Sequence, residues 1–488
     1  MMFVIVVFSA MSIAGLAITS IPLGVPDEWT WDRIPFSADH LAAAYLIVPA
    51  TFYIWFVAAV GSRIHRFGGW RQSFCAFVLS LAGAGWIFGV LLVTPAPFGM
   101  NRVPYILFYP RSSGYFTQAA EDATDVAEFL KTYEKRISDP SNPDNHLHLG
   151  THPPGLTLCY RGLITLCEQN PALVDLAKQT QPPSVRESFN QIQSLNAGAT
   201  TTQLAAIWWS SLLTLFSAGF TTWPLFLLCR RSTSATSGWY AAALWPLIPA
   251  LAVFFPKSDV LYTLFAVLMQ WLWVVSLDRK AWLLGSLVGA IMFASLMLTL
   301  AFVPIGLMLV IQALFRRKQS LPTLISSAVV FWICIGGFWW LTELNPIEVW
   351  LQNFRNHAAF YEHFDRSYLP WLVVNPFELA FAVGIPVTIW AGYGVIQAIR
   401  PTEDTEPNNW NRVDLLIAVG IWAFLWLSGK NMGEAARLWI FLMPITIWAA
   451  AFSLREQKRN VILAALIAQV VVFAFTVMRV DGFHFGHL

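Results

Sequence analysis

Apolar stretches recur along this chain at 3–24, 40–61, 73–95, 204–229, 238–256, 260–277, 281–298, 300–315, 321–342, 371–396, 413–428, 438–454 and 460–478. Each approaches the ~20 residues that a helix needs to cross a hydrocarbon core. The pattern predicts an all-α polytopic membrane protein with thirteen transmembrane helices. One long polar connection, residues 96–203, interrupts the succession of short loops. Loops of that length within a compact chain are usually functional. In it, Ser113 is placed to cap a helix through YFTQAAEDATDVAEFLKTYEKR, with Phe116, Ala120, Ala127 and Leu130 toward one side. Such an amphipathic segment is expected to lie along the membrane surface, ending at DPSNPDN. A second short helix is expected from His152-Pro153-Pro154, because proline is accepted in a first turn. Its apolar part, GLTLCYRGLITLC, is too short to span and contains Arg161, so it reads as re-entrant or interfacial. With no internal repeat and no soluble domain, residues 1–488 are expected to form one transmembrane domain.

Composition strengthens this reading. Of 488 residues, 57% are hydrophobic and only 12% charged, against about 25% charged in soluble domains. That excludes a soluble enzyme, a nucleic-acid binder, an outer-membrane barrel and a single-anchor receptor. The net charge of +2 says nothing about partners, but its distribution does. With the N-terminus in the cytoplasm, inner loops carry Arg63/Arg66/Arg71, Arg230/Arg231, Arg279/Lys280, Arg316/Arg317/Lys318, Arg400/Arg412 and Arg455/Lys458/Arg459. The opposite short loops hold only Arg33, Lys257, Arg355, Arg366, Lys430, Arg437 and Arg479. The positive-inside rule therefore places the 96–203 loop and the C-terminus outside. The first apolar run lacks a basic leader region and is read as a spanning helix. The five cysteines form no framework: Cys159 and Cys167, on one helix, would stand roughly 12 Å apart along its axis, too far to bridge.

The unusual polar residues gather on the outer side. They include Asp27/Glu28, Glu121/Asp122/Asp125, His146/His148/His152, His357, Arg366 and Lys430, whereas the cytoplasmic loops add only an acidic patch, TEDTE. Pro256-Lys257-Ser258-Asp259 forms a hairpin between two apolar runs, where a Lys–Asp pair can cap helices or line a cavity. GKNMGEAARLW sets Glu434 and Arg437 at i, i+3 on one helix face, either as a local ion pair or as part of a site. His152 alone reads as a hydrogen-bonded structural histidine. No HExxH, cysteine cluster, G-x-S-x-G elbow or P-loop accompanies these residues, which argues against a zinc site and against hydrolase or ATPase chemistry.

Taken in order, these pieces resemble the GT-C superfamily of integral-membrane glycosyltransferases. The nearest likeness is to the branch of protein O-mannosyltransferases and the bacterial lipid A aminoarabinose transferase. The resemblance runs over about residues 73–454. It comprises a span and long outer loop with SGYFTQAAEDATDVAEFL, the start THPPGLTL, the Arg-Arg end LCRRSTSATSG, the hairpin WPLIPALAVFFPKSDVLYTLFAVL, and GEAARLWIFLMP. Residues 1–72 would then be two extra N-terminal helices ahead of the GT-C-like core. One element departs from the family pattern. An Asp-Glu pair usually precedes a tyrosine early in the outer loop, and here Pro110-Arg111-Ser112-Ser113-Gly114 precedes Tyr115. The base falls among Asp122, Asp125 and the earlier Asp27/Glu28, with the loop acids preferred because they share a loop with His152.

The resemblance implies inverting transfer of a sugar from a polyprenyl-phosphate donor to a glycan, lipid or protein acceptor on the extracytoplasmic face. One carboxylate must take the acceptor proton, and the leaving phosphate needs positive charge rather than a proton. Asp122 or Asp125 would be the base and Asp259 a second acid. Lys257, Arg366 and Arg437 would hold phosphate. Tyr115, His152, His357, Lys430 and Glu434 complete the substrate-binding set. No cofactor is required, although the family has metal-dependent members, and neither a metal site nor a nucleic-acid partner is expected. A bacterial inner membrane is the expected location. The rivals are a multi-span transporter or lipid flippase, an O-antigen-type polymerase or ligase, and a non-catalytic scaffold.

Overall fold

The computed structural model describes residues 2–110, 112–139, 149–195, 198–316, 320–363, 365–400 and 410–483. Arg111, the turn residues 140–145, His146, His148, Arg317, Lys318 and the TEDTE patch lie outside the described residues. The chain is helical nearly throughout, as the apolar pattern predicts. Among the described residues, seven helices are long and apolar enough to cross a membrane: Ala38–Gly61, Gly69–Val93, Thr201–Ser232, Ser258–Arg279, Leu321–Thr342, Trp410–Leu427 and Arg459–Arg479. The pair Tyr368–Val383 and Ile385–Ile399, bent by 113°, makes an eighth if counted as one span. The other expected spans are shorter apolar helices, Met2–Ala17, Trp282–Leu298, Leu300–Phe315 and Ile440–Leu454, or, over 238–256, a broken one.

The differences from thirteen spans have local causes. The run at 238–256 breaks after Ala235–Leu244 into a short 3₁₀ turn, Trp245–Leu247, and the single turn Ala250–Val253. Pro246 and Pro249 remove two backbone donors there. The run at 371–396 turns at Gly384, whose φ of +92° suits glycine. Both breaks free a carbonyl, and one side chain serves both. Gln469, fully buried on Arg459–Arg479, donates from Nε2 to Leu247 O at 2.7 Å and to Val383 O at 2.9 Å. Satisfying backbone groups in this way is what permits interrupted helices in an apolar setting.

The chain forms two compact units, residues 1–99, 214–271 and 366–488 in one and 100–213 and 272–365 in the other. In the first unit the opening helix stops at Ala17, short of the expected 24. Arg33 supplies the reason: its guanidinium donates to the carbonyls of Leu16, Gly15 and Ile21 at 3.1, 3.1 and 2.5 Å, satisfying groups at a helix C-terminus. Between these elements the chain makes a hairpin, with Gly24–Val25 pairing antiparallel to Trp29–Thr30 and Asp27 at φ +66° in the turn. Asp32–Arg33 then pairs with Val480–Asp481.

In the second unit the long connection is a set of short helices, Val103–Phe108, Tyr115–Glu121, Val126–Ser138, Gly155–Gln169, Pro171–Thr180 and Pro183–Leu195. The single amphipathic helix expected from Ser113 is two helices. Gly114, not Ser113, is the N-cap residue of the first, and Asp125 caps the second. The apolar side of the second is Phe129, Leu130, Tyr133 and Ile137, packed on Leu344 and Val349. Those residues bury against protein, so the amphipathic pattern reports a helix–helix contact. The helix expected after His152-Pro153-Pro154 is present as Gly155–Gln169. Gly155 is needed there because a Cβ would stand 2.3 Å from the Met297 carbonyl oxygen. All five cysteines are free.

Candidate functional site

Each unit carries a cluster of the predicted residues. In the first unit, Lys257 precedes Ser258–Arg279 and Asp259 is in its first turn, while Glu434 is the N-cap residue of Ala435–Leu438 and Arg437 is in its last turn. The turn before Ala435–Leu438 is built from left-handed residues, Gly429, Asn431, Gly433 and Glu434, with φ between +55° and +85°. It curls the chain so that Glu434 and Arg437 share a face, and Arg437 Nη2 donates to Glu434 Oε2 at 3.0 Å. Arg437 Nε is buried and has no hydrogen-bond partner among the described residues.

Lys257 is 95% buried, and its ammonium is pushed down to about 7. Burial is the main cause and the neighbouring Arg437 charge adds to it, with Asp259 and Glu434 acting in the opposite direction. Two local pairs distant in sequence, Lys257 with Asp259 and Glu434 with Arg437, thus act on one another. An anion placed beside Lys257 and Arg437 would offset the repulsion between them and favour the charged lysine against its burial. The arrangement is suited to a phosphate, with carboxylates at hand to orient or deprotonate a hydroxyl.

Around this cluster lie residues that the sequence reading did not weigh. Glu378, on Tyr368–Val383, is more than nine-tenths buried; its Oε1 accepts from Trp31 Nε1 at 2.8 Å and from Ala436 N at 3.1 Å. A lone carboxylate within an apolar run was a readable signal for a functional position. Glu28, from the N-terminal hairpin, accepts from Trp371 Nε1 at 2.7 Å and Ser367 N at 2.9 Å. Its carboxyl sits below the ordinary range: desolvation is the largest single effect and raises it, but the bonds from Ser367 and Trp371 and the Arg366 charge together prevail. Gly433 lies against Arg366, where a Cβ would approach Nε to 3.3 Å. Lys430 stands exposed on the same turn. The N-terminal segment is therefore built into this unit's polar cluster through Glu28 and Trp31.

In the second unit His152 is held at the start of Gly155–Gln169. Its carbonyl accepts from Tyr133 Oη at 2.8 Å and Asn353 Nδ2 at 3.2 Å, and its ring packs edge-on to Tyr115 with centroids 5.7 Å apart. Thr151 Oγ1 lies 3.0 Å from His152 Nδ1. Asn353 and Asn356 both donate to Gly150 O, at 2.7 and 2.8 Å, and share Pro346–His363 with half-buried His357. The two asparagines, absent from the sequence reading, are what fix the loop carrying His152.

The loop acids are otherwise engaged. Asp122 pairs with Arg136 at 2.7 Å, both side chains largely exposed, and the Arg136 guanidinium also lies over the Phe129 ring. Asp125 Oδ1 accepts from Ala127 N and Glu128 N at 3.0 and 3.1 Å, an N-cap. Among the described residues no three of His, Cys, Asp and Glu come together as a metal site.

No protein-family model matches the chain, and no curated protein matches it. Among solved structures the chain is similar to the crystal structure of the Archaeoglobus fulgidus oligosaccharyltransferase in complex with zinc and sulfate. Identity is 12% and the TM-score 0.44, covering 80% of this chain and 53% of that one. The chain spans about half the length of that protein. A likeness this distant transfers neither residues nor activity.

Proposed function

We propose that this protein is a membrane glycosyltransferase of the GT-C type, moving a sugar from a polyprenyl-phosphate donor to an acceptor hydroxyl on the extracytoplasmic face, with inversion. The observation that carries the reading is the meeting of Lys257 and Asp259 with Glu434 and Arg437. In this mechanism Lys257 and Arg437 hold the donor phosphate. The acceptor oxygen attacks the anomeric carbon as its bond to the phosphate oxygen breaks, and the bonding pair leaves with polyprenyl phosphate. Preorganised cations stabilise that developing charge without a proton. Asp259 takes the acceptor proton, while Glu434 holds Arg437 in place. Asp259 is preferred to Asp122 and Asp125 because those two are engaged in a surface ion pair and a helix cap. The expected setting is a bacterial inner membrane.

A transporter reading draws on the two interrupted helices, since broken spans commonly line ion pathways. Here one carbonyl at each break, Leu247 O and Val383 O, accepts from Gln469, a contact that joins the two breaks to protein. The transfer reading is tested by incubating purified protein with a panel of polyprenyl-phosphate sugars and candidate acceptors. Release of bare polyprenyl phosphate only when an acceptor is present supports it. Transport of a substrate into vesicles without any donor turnover overturns it.

A further inference from the structure

Next to Ala436, the first unit contains a cavity of about 410 Å³, within the span of about 300–1,000 Å³ usual for small-molecule sites. Its walls are almost wholly apolar, from Gly15, Ile21, Trp31, Phe377 and Phe381, and Glu378 is its one ionisable residue. Ile21 and Phe377 line it and are also exposed, so it can be entered from the surrounding apolar phase. Glu378 Oε2 is buried and has no hydrogen-bond partner among the described residues, while Oε1 is fixed by Trp31 and Ala436. A buried polar atom left in this way costs free energy that a ligand donor would recover.

We propose that this cavity binds a single-chain lipid alcohol, its hydrocarbon along the apolar walls and its hydroxyl at Glu378 Oε2. The head group follows from charge. A phosphate or carboxylate would face a buried carboxyl in an apolar surround. An ammonium would have to give up its hydration for walls that are apolar apart from Glu378. A hydroxyl suffers neither effect and can donate or accept. The site adjoins the proposed transfer cluster through Ala436, and its test reads labelling rather than turnover.

The test uses the full-length protein in detergent with a hexadecyl alcohol carrying a photoactivatable diazirine, alongside the matching carboxylate and amine. The alcohol is expected to label peptides bearing the cavity walls about tenfold more than either charged probe, a preference equivalent to about 1.4 kcal/mol. Gly15→Leu should abolish that labelling, because a Cβ at Gly15 meets only Phe381, at 3.9 Å, and a longer side chain extends into the space. Glu378→Gln should bring the carboxylate up to the level of the alcohol. Labelling of the walls that Gly15→Leu leaves unchanged, labelling confined to other peptides, or a wild-type preference for a charged probe would each overturn the proposal. Gly15→Leu leaves Glu378 untouched, so the test stands if the Glu378 variant does not fold.

Discussion

Arg437 donates to Glu434 at 3.0 Å and keeps its Nε buried without a hydrogen-bond partner among the described residues. A guanidinium bound on one edge only retains donors for a second anion, and its planar fork suits phosphate oxygens. With Lys257 discharged in part by that same arginine, the pair is arranged to gain from anion binding.

This coupling predicts a pH dependence. Lys257 titrates near 7 in the folded protein against an ordinary value of 10.5, so its positive charge is present below pH 7 and lost above it. Affinity for the phosphodiester donor should rise as pH falls from 9 toward 7, by up to roughly tenfold per unit, and level off below 7. Stability runs the other way. The unfolded chain keeps that proton up to about 10.5, so this residue's contribution grows as pH rises from 7 to 10.5. Donor affinity and thermal unfolding measured across that range read both slopes, and Lys257→Met should remove both.

The acids separate by function. Asp259→Asn should lower kcat by about 10²-fold or more, as expected for loss of a general base, with little change in unfolding temperature. Asp125→Ala should instead lose about 1 kcal/mol of stability through the helix cap and keep kcat within a few-fold, and Asp125→Asn should restore the stability. Asp122→Asn, breaking an exposed ion pair, should cost less than about 1 kcal/mol. A loss of turnover in the Asp122 or Asp125 variants, with Asp259→Asn active, would place the base in the loop.

Gly433 sits at φ +85° with Arg366 and Trp371 within 3.4 Å of where its Cβ would be. Gly433→Ala should destabilise by about 1–2 kcal/mol from the left-handed backbone alone. It should also weaken donor binding by shifting the turn that carries Glu434 and Arg437. Calorimetry and donor titration on one sample check both.

Gln469→Leu should leave the Leu247 and Val383 carbonyls without their donor. The expected loss is about 1–3 kcal/mol for each buried acceptor, seen as a lowered unfolding temperature, with proteolysis or hydrogen exchange enhanced at both helix breaks. Gln469→Glu should recover part of the loss at most, since a buried carboxyl held neutral has one O–H for the two carbonyls that the amide serves.

Much of this was legible along the chain. The apolar runs became helices, His152-Pro153-Pro154 opened a helix, and Glu434 and Arg437 met at the spacing read from GEAARL. Local periodicity and turn chemistry are written in adjacent residues. Trp31 and Glu378, by contrast, are 347 residues apart, and Gln469 serves a carbonyl 222 residues before it. No spacing rule reaches that far. The breaks within spans were hidden for a related reason: hydropathy marks an apolar run but not the interruptions at Pro246, Pro249 and Gly384 within it. Amphipathicity likewise showed that Val126–Ser138 has a buried face without showing that protein covers it.

The central claim is that Lys257 and Arg437 hold the phosphate of a lipid-linked sugar. It is tested most directly by native mass spectrometry of the detergent-released protein with a panel of polyprenyl-phosphate sugars, comparing wild type with Lys257→Ala and Arg437→Ala. The account predicts selective retention of one donor by the wild type, reduced about 10²-fold in each variant as expected for loss of a charge-assisted contact to phosphate. Folded wild type that retains none of the donors, or variants that bind as tightly as wild type, would contradict it.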